Sequence, residues 1–256
     1  MDTKKGTIKD PLKEAQKVML DMMICIQDFC EKHHIAYWLT DGTLLGSIRH
    51  KGFIPWDDDA DIAMLRKDYN KFKKLAKKHF FGKYKIETKK ENIQGKHNWM
   101  KLIYLDDFEW QDWNGVTRKG LSIDIFPFDY VTQKNKKTML ENIVHRFARI
   151  ECPMQIKGCK DILQSIIYQS NLQNIYGLIN KQGNVVTYGI ETTFFGWAYF
   201  DVDGIFPLKQ GTFEGHSFPI PGNYHKYLTD LYGDYMQPPD ESEKRIHMTQ
   251  LQFVEN

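Results

Sequence analysis

The chain reads as an α/β (α+β) protein, a mixed sheet flanked by helices, and three observations predict this. Leu12, Ala15, Val18, Met19, Met22, Ile26 and Phe29 recur at helical spacing behind Asp10 and Pro11, a cap and a first helical residue. They predict a helix to about His33 whose stripe enters the core. Residues 36–64 run in the order strand, glycine turn, short helix, acidic strand. Strands follow at 84–88, 99–105 and 121–126, the last alternating apolar and polar residues, with a helical pattern at 66–78 before them.

In the second unit, Ala36 to Thr40 is the strand, Asp41 and Gly42 the turn, and Thr43 to His50 the helix. A helix that begins at such a turn presents unpaired N–H groups and a positive dipole end, which suits a phosphate. Gly42 can bring backbone close to a ligand and tolerate positive φ, and Thr43 can add its hydroxyl. Gly46 lets the short helix approach the sheet. Arg49 and His50 read as phosphate ligands or as cations at a helix C-terminus, and Lys51 as the latter.

The acidic strand carries Asp57, Asp59 and Asp61 on one face by alternation. Ile62 and Met64 take the core phase, and Asp58 faces away. Carboxylates so close repel one another, so either a proton or a cation joins them. Oxygen ligands without neighbouring Cys or His favour Mg²⁺ or Mn²⁺. Taken alone, the acids also fit a solvated turn after Pro55.

Further along, Ser122 and Asp124 share one face of their strand and Ile123 and Ile125 the other, and Pro127 is expected to end it. Asp124 reads either as a turn-capping acid or as a third carboxylate for metal-assisted phosphoryl transfer. Lys101 lies on the face opposite Met100 and Leu102. Tyr69, Phe72 and Leu75 mark the buried side of the 66–78 helix, whose lysines form a solvated face. Helical patterns fill 136–180, GTFEGHSFPIP reads as a hairpin, and a helix from Tyr224 to Leu231 stops at Gly233.

Composition excludes other classes. With 256 residues, 41% hydrophobic, the chain forms one large or two small domains, and a net charge of +2 gives no basis for binding nucleic acid. Cys25, Cys30, Cys152 and Cys159 show no CxxC pairing, which fits a reduced setting and core packing rather than a disulfide scaffold or a zinc site. No signal-peptide core or run of transmembrane length is present.

The segment GTLLGSIRHKGFIPWDDDADIAM resembles the signature of the LicD family of phosphotransferases, shared by the fukutin-related proteins. GLSIDIFPFD at 120–129 and YGDYMQPPDESEKRIH at 232–247 resemble two further elements of that family, and only about 134–180 carries no matching motif. The resemblance implies a nucleotidyltransferase-like core over 1–132 holding the metal site. A helical and β-rich region over 133–256 would complete the donor/acceptor cleft, the two forming one compact unit. It implies a Mg²⁺-dependent (or Mn²⁺-dependent) enzyme moving phosphocholine from CDP-choline to a sugar hydroxyl of a teichoic acid, lipopolysaccharide or capsule precursor. Ribitol, glycerol or sugar phosphate are alternative cargoes, and a catalytically idle nucleotide- or glycan-binding scaffold is the reading from another class.

On this reading Asp59, Asp61 and Asp124 are the catalytic carboxylates and metal ligands. Asp57 reaches the metal or supports it, and Asp124 binds metal or accepts the proton of the attacking hydroxyl. Gly42, Thr43, Arg49 and Lys101 would meet the donor phosphates; Lys101 reads equally as a solvated strand lysine. Lys244, Arg245 and His247 are candidate contacts to donor or acceptor, although a lone surface His needs no such role. Trp56, Trp110 and Trp113 are the candidates for a quaternary ammonium cargo, since aromatic faces bind such cations. The partners are then a CDP-activated donor and a glycan or lipid-linked glycan, with no nucleic acid and at most peripheral membrane contact. The expected place is the cytoplasm or the inner membrane face.

Overall fold

The computed structural model describes residues 10–88, 98–112, 114–131, 137–139, 141, 142, 145, 183–240, 244 and 246–254. Asp10 caps α1 (Pro11–His33) by accepting from the Lys13 amide at 3.3 Å, and His34 closes it in the left-handed region at φ 51°. The predicted stripe is inside, with Ala15, Met19, Met22, Met23, Ile26 and Phe29 buried.

β1 (Trp38–Leu39) leads into α2 (Asp41–Arg49), then come β2 (Ala60–Leu65) and α3 (Arg66–His79). β3 (Tyr84–Glu87), β4 (Met100–Gln111) and β5 (Thr117–Tyr130) follow. The sheet centres on β5, which pairs parallel with β2 and antiparallel with β4 and with β6 (Val185–Tyr188). β1 lies beyond β2, and β7 (Phe200–Asp201) beyond β6. The outer edge of β4 is shared between β3 and β10 (Thr249–Phe253). Strands from the second half of the chain therefore complete the sheet begun by the first.

Ile62, Met64, Ile123, Ile125, Met100 and Leu102 are buried, and α1 and α3 pack against β5. On α3, Tyr69, Phe72 and Ala76 face in while the lysines stay outside. Arg66 departs from that solvated face. It is buried between Asp129 and Glu191, with Nη2 at 2.7 and 2.6 Å from their carboxylates. It ties the start of α3 to the end of β5.

Two expectations about strands are corrected. The β2 strand starts only at Ala60, so Asp57 and Asp59 lie in the irregular approach to it and share no strand face with Asp61. Pro127 does not end β5, which continues to Tyr130. Its carbonyl accepts from the Gly189 amide at 2.7 Å, so its nitrogen faces that same edge. There β4 stops opposite Ile125 and β6 begins opposite Phe128, and the missing donor costs no ladder bond.

The predicted hairpin is present as β8 (Lys209–Phe213) and β9 (His216–Ile220), turning at Glu214 and Gly215, both with positive φ as a type I′ turn requires. α4 (Val202–Ile205) precedes it, and α5 (Tyr224–Tyr232), capped by Asn223, follows it and stops at Gly233. The helical patterns of 136–180 fall almost wholly outside the described residues.

Candidate active site

The parallel register of β2 and β5 sets Asp61 directly beside Asp124, and the antiparallel register of β5 and β4 sets Asp124 beside Lys101. Two acids and a lysine thus form one row across three neighbouring strands. Lys101 Nζ lies 2.6 Å from Asp124 Oδ1 in an ion pair, and the Trp99 indole N–H donates to Asp124 Oδ2 at 2.8 Å. Both acids are buried, at 8% exposure each.

The turn before α2 is sewn onto this row. The Asp61 amide donates to Thr43 Oγ1 at 2.8 Å, and the Thr40 amide donates to the Asp61 carbonyl at 3.2 Å. Positive φ falls on Asp41 (47°) and not on Gly42. What Gly42 supplies is room, because a Cβ there would stand 3.0 Å from Asp57 Oδ2. Gly46 is close to the Gly52 carbonyl, where a Cβ would come within 2.4 Å, so it admits the loop after α2 rather than the sheet.

Asp41 is the site residue that sequence reasoning passed over as a turn former. Its Oδ1 accepts from the Tyr188 hydroxyl at 2.6 Å, while its Oδ2 is buried without a hydrogen bond. Asp124 Oδ1, which meets the Lys101 ammonium as an ion pair but accepts no hydrogen bond, is the other such oxygen among the described residues. Burial, against the Tyr188 and Thr40 hydrogen bonds and with the Asp59 and Asp124 charges, pushes the Asp41 carboxyl up to about 6. Burial and then neighbouring carboxylates, Asp59 foremost, hold Asp57 and Asp61 well above the usual range. The signal that could have found Asp41 is its place one residue before a phosphate-suited glycine.

Asp58, expected to face away, is buried and accepts from the His247 and Met248 amides at 2.6 and 2.5 Å. His247 is no lone surface histidine. Its Nδ1 lies 3.1 Å from Asp58 Oδ1 and 3.2 Å from Asp59 Oδ2, and hydrogen bonds to Asp58 first and Asp59 second raise it to about 10. Asp58, Asp59 and His247 are the group of three potential metal-ligand atoms that converge within 4.8 Å among the described residues; Asp59, Asp61 and Asp124 do not converge so closely. With its pKa so raised, the His247 ring pairs as a cation with both carboxylates. The expected ligands Asp61 and Asp124 sit side by side on β2 and β5, and Asp59 stands two residues before Asp61. Asp41 Oδ2 and Asp124 Oδ1 are buried and accept no hydrogen bond, the latter facing the Lys101 ammonium, and such a set of hard oxygens would suit a divalent ion.

Arg49, expected at a phosphate, sits at the far end of α2 and donates through Nη1 to the Tyr235 carbonyl at 3.0 Å and to that of Gln237 at 3.4 Å. Those carbonyls follow α5, so the guanidinium fastens that segment. Trp56 carries Lys244 Nζ 4.1 Å over its ring. Trp110 donates its indole N–H to the Gly120 carbonyl at 2.8 Å and pairs with Arg118, roughly 20 Å along β5 from Asp124 at about 3.3 Å per residue. The structure does not bring it to the acids. Trp113, Arg245, Cys152 and Cys159 lie outside the described residues.

No helix among the described residues is long and apolar enough to cross a membrane. Residues 34–156 match the family model of the LicD/FKTN/FKRP nucleotidyltransferase domain. The chain is 29% identical over 265 residues to the lipopolysaccharide cholinephosphotransferase LicD of Haemophilus influenzae, spanning 95% of this chain and 98% of that protein. It is 36% identical over 94 residues to the ribitol-5-phosphate transferase FKTN of Mus musculus, spanning 33% of this chain and 20% of that protein. An uncharacterized protein of Rickettsia typhi is 39% identical over 64 residues, 24% of this chain and 21% of that protein.

Proposed function

The chain belongs to the LicD family, and on that premise we propose that it transfers phosphocholine from CDP-choline to a sugar hydroxyl of a cell-surface glycan precursor, with Mg²⁺ or Mn²⁺ as its metal. The observation that carries this reading is the row Asp61, Asp124, Lys101, two acids and a cation on adjacent strands beside the N-terminus of α2. Similarity along nearly the whole of a cholinephosphotransferase supports the cargo. A lipid-linked acceptor at the inner membrane face fits the same reading.

Asp59, Asp61 and Asp124 would hold the metal, with Asp57 reaching or supporting it. When bound, a divalent ion supplies charge to offset the donor pyrophosphate and the charge that builds during displacement. Lys101 and the first-turn amides at Gly42 and Thr43 would meet the donor phosphates. The sugar oxygen forms a bond to the phosphorus that carries choline, the bond from that phosphorus to CMP breaks, and a carboxylate takes the hydroxyl proton. Asp124 and Asp41 are the candidates for that last role. His247, itself held by Asp58, pairs with Asp59.

The ribitol-5-phosphate transferase among the relatives favours a second reading, in which the cargo is ribitol phosphate on the same machinery. A thermal-shift panel with Mg²⁺ separates them, using CDP-choline, CDP-ribitol, CDP-glycerol, CDP-ethanolamine and CMP. A native-state ligand at a hundred times its Kd stabilises by about 2.7 kcal/mol. A metal-dependent shift for CDP-choline above CMP, absent in Asp59→Asn, is expected. A larger shift with CDP-ribitol transfers the conclusion to the second reading, and no shift with any conjugate favours an idle scaffold.

A further inference from the structure

Trp99, Phe194 and Trp197 pack in a row beside the acidic site, with the buried Tyr188 ring behind Phe194 and Trp197. Ring centroids lie 5.6 Å apart for Trp99 and Phe194, 5.7 Å for Phe194 and Trp197, and 6.1 Å for Trp197 and Tyr188. Two of these rings are fastened to acids, Trp99 to Asp124 at 2.8 Å and Tyr188 to Asp41 at 2.6 Å. Phe126 packs against the row, 5.0 Å from Trp99 and 5.9 Å from Phe194. Trp197 itself is 57% exposed, whereas Trp38 is fully buried in the core.

The relative tilt of the rings narrows what this row can hold. Neighbours are turned by 42°, 45° and 41°, so the rings are not coplanar and present differently directed faces rather than a flat slot. A planar base stacks on one ring at a time, while a rounded cation can touch several faces. The inner end already faces an ammonium, since Lys101 Nζ lies 6.0 Å from the Trp99 centroid. Trp56, by contrast, has its face covered by Lys244 at 4.1 Å.

We infer that the row of Trp99, Phe194 and Trp197 receives the quaternary ammonium end of the donor while the phosphates lie over the carboxylates. This inference rests on the phosphocholine reading and adds the residues that select the cargo. Trp197 supplies the outermost face, and its position on the loop between β6 and β7 makes it the ring most open to change.

Calorimetric titration of the full chain with CDP-choline and with CMP, both with Mg²⁺, tests it in wild type and in Trp197→Ala, Trp197→Leu and Trp197→Phe. The wild type is expected to bind CDP-choline more tightly than CMP. Trp197→Ala and Trp197→Leu should lose about two- to thirtyfold in CDP-choline affinity with CMP unchanged, and Trp197→Phe should keep most of it. A wild type that prefers CDP-choline together with an Ala variant that keeps the preference overturns the inference and leaves the phosphocholine reading standing. Equal losses for CDP-choline and CMP, or a Leu variant as good as Phe, overturn it as well. A wild type that binds CDP-choline no better than CMP overturns the inference along with the reading beneath it.

Discussion

His247 grips Asp58 twice, through its backbone N–H at 2.6 Å and through ring Nδ1 at 3.1 Å. The same ring nitrogen lies 3.2 Å from Asp59. A segment near the C-terminus therefore fixes the acidic approach to β2. Because the folded protein raises His247 to about 10 through Asp58 and then Asp59, its contribution is fully present below the unfolded value near 6.5. It is lost as pH rises from there through about 10. Denaturant titrations from pH 6 to 10 should show wild-type stability falling more steeply than that of His247→Gln; parallel profiles would remove the clamp.

Asp41 predicts the opposite dependence on mutation. Its folded value of about 6 lies above the carboxylate range because of burial, so the folded state holds the proton longer than the unfolded chain does. Stability then falls as pH rises from about 4 to 6. In metal-free protein at pH 8, Asp41→Asn is expected to be more stable than wild type by up to about 3 kcal/mol, since each tenfold change in proton affinity is worth about 1.4 kcal/mol. Turnover should drop at the same time. A variant no more stable than wild type would contradict the role of burial.

Metal should reverse these penalties. Burial and neighbouring acids raise the proton affinity of Asp57 and Asp61, so a cation binding them would compete with protons. The rise in melting temperature given by 5 mM Mg²⁺, on the order of common assay levels, should therefore grow between pH 5 and 8, a range spanning the Asp41 value of about 6. It should shrink in Asp61→Asn. A thermal response to Mg²⁺ that ignores pH would place the ion elsewhere.

Arg66 is the structural counterpart. Its guanidinium meets Asp129 and Glu191 within 2.6 to 2.8 Å, wholly inside the protein. Arg66→Met leaves two buried carboxylates without their partner and should cost about 3–5 kcal/mol in urea unfolding. The triple change to apolar residues at 66, 129 and 191 should recover much of that loss.

Gly46→Ala should destabilise by about 1–3 kcal/mol, because its methyl group would stand 2.4 Å from the Gly52 backbone carbonyl. Circular dichroism melting reads this directly, and an unchanged midpoint would show that the loop yields.

The local elements were legible in the sequence because their causes are local. The Asp10–Pro11 start of α1, the buried phase of Ile62 and Met64, the Lys101 face of β4 and the Glu214–Gly215 turn follow from capping, alternation and turn chemistry. Sequence also singled out Asp59, Asp61, Asp124 and Lys101 as a candidate set, and family resemblance linked them to one chemistry. Only the tertiary structure decided which groups meet. Strand register aligned Asp61, Asp124 and Lys101; the C-terminal segment delivered His247 to Asp58; the loop after β6 brought Phe194 and Trp197 beside Trp99. Pairings between residues far apart in the chain leave no periodicity in either segment, since each depends on how two distant surfaces dock. For the same reason the 66–78 pattern said nothing of Arg66's place between Asp129 and Glu191, and Asp41 read as a turn residue until Tyr188 met it.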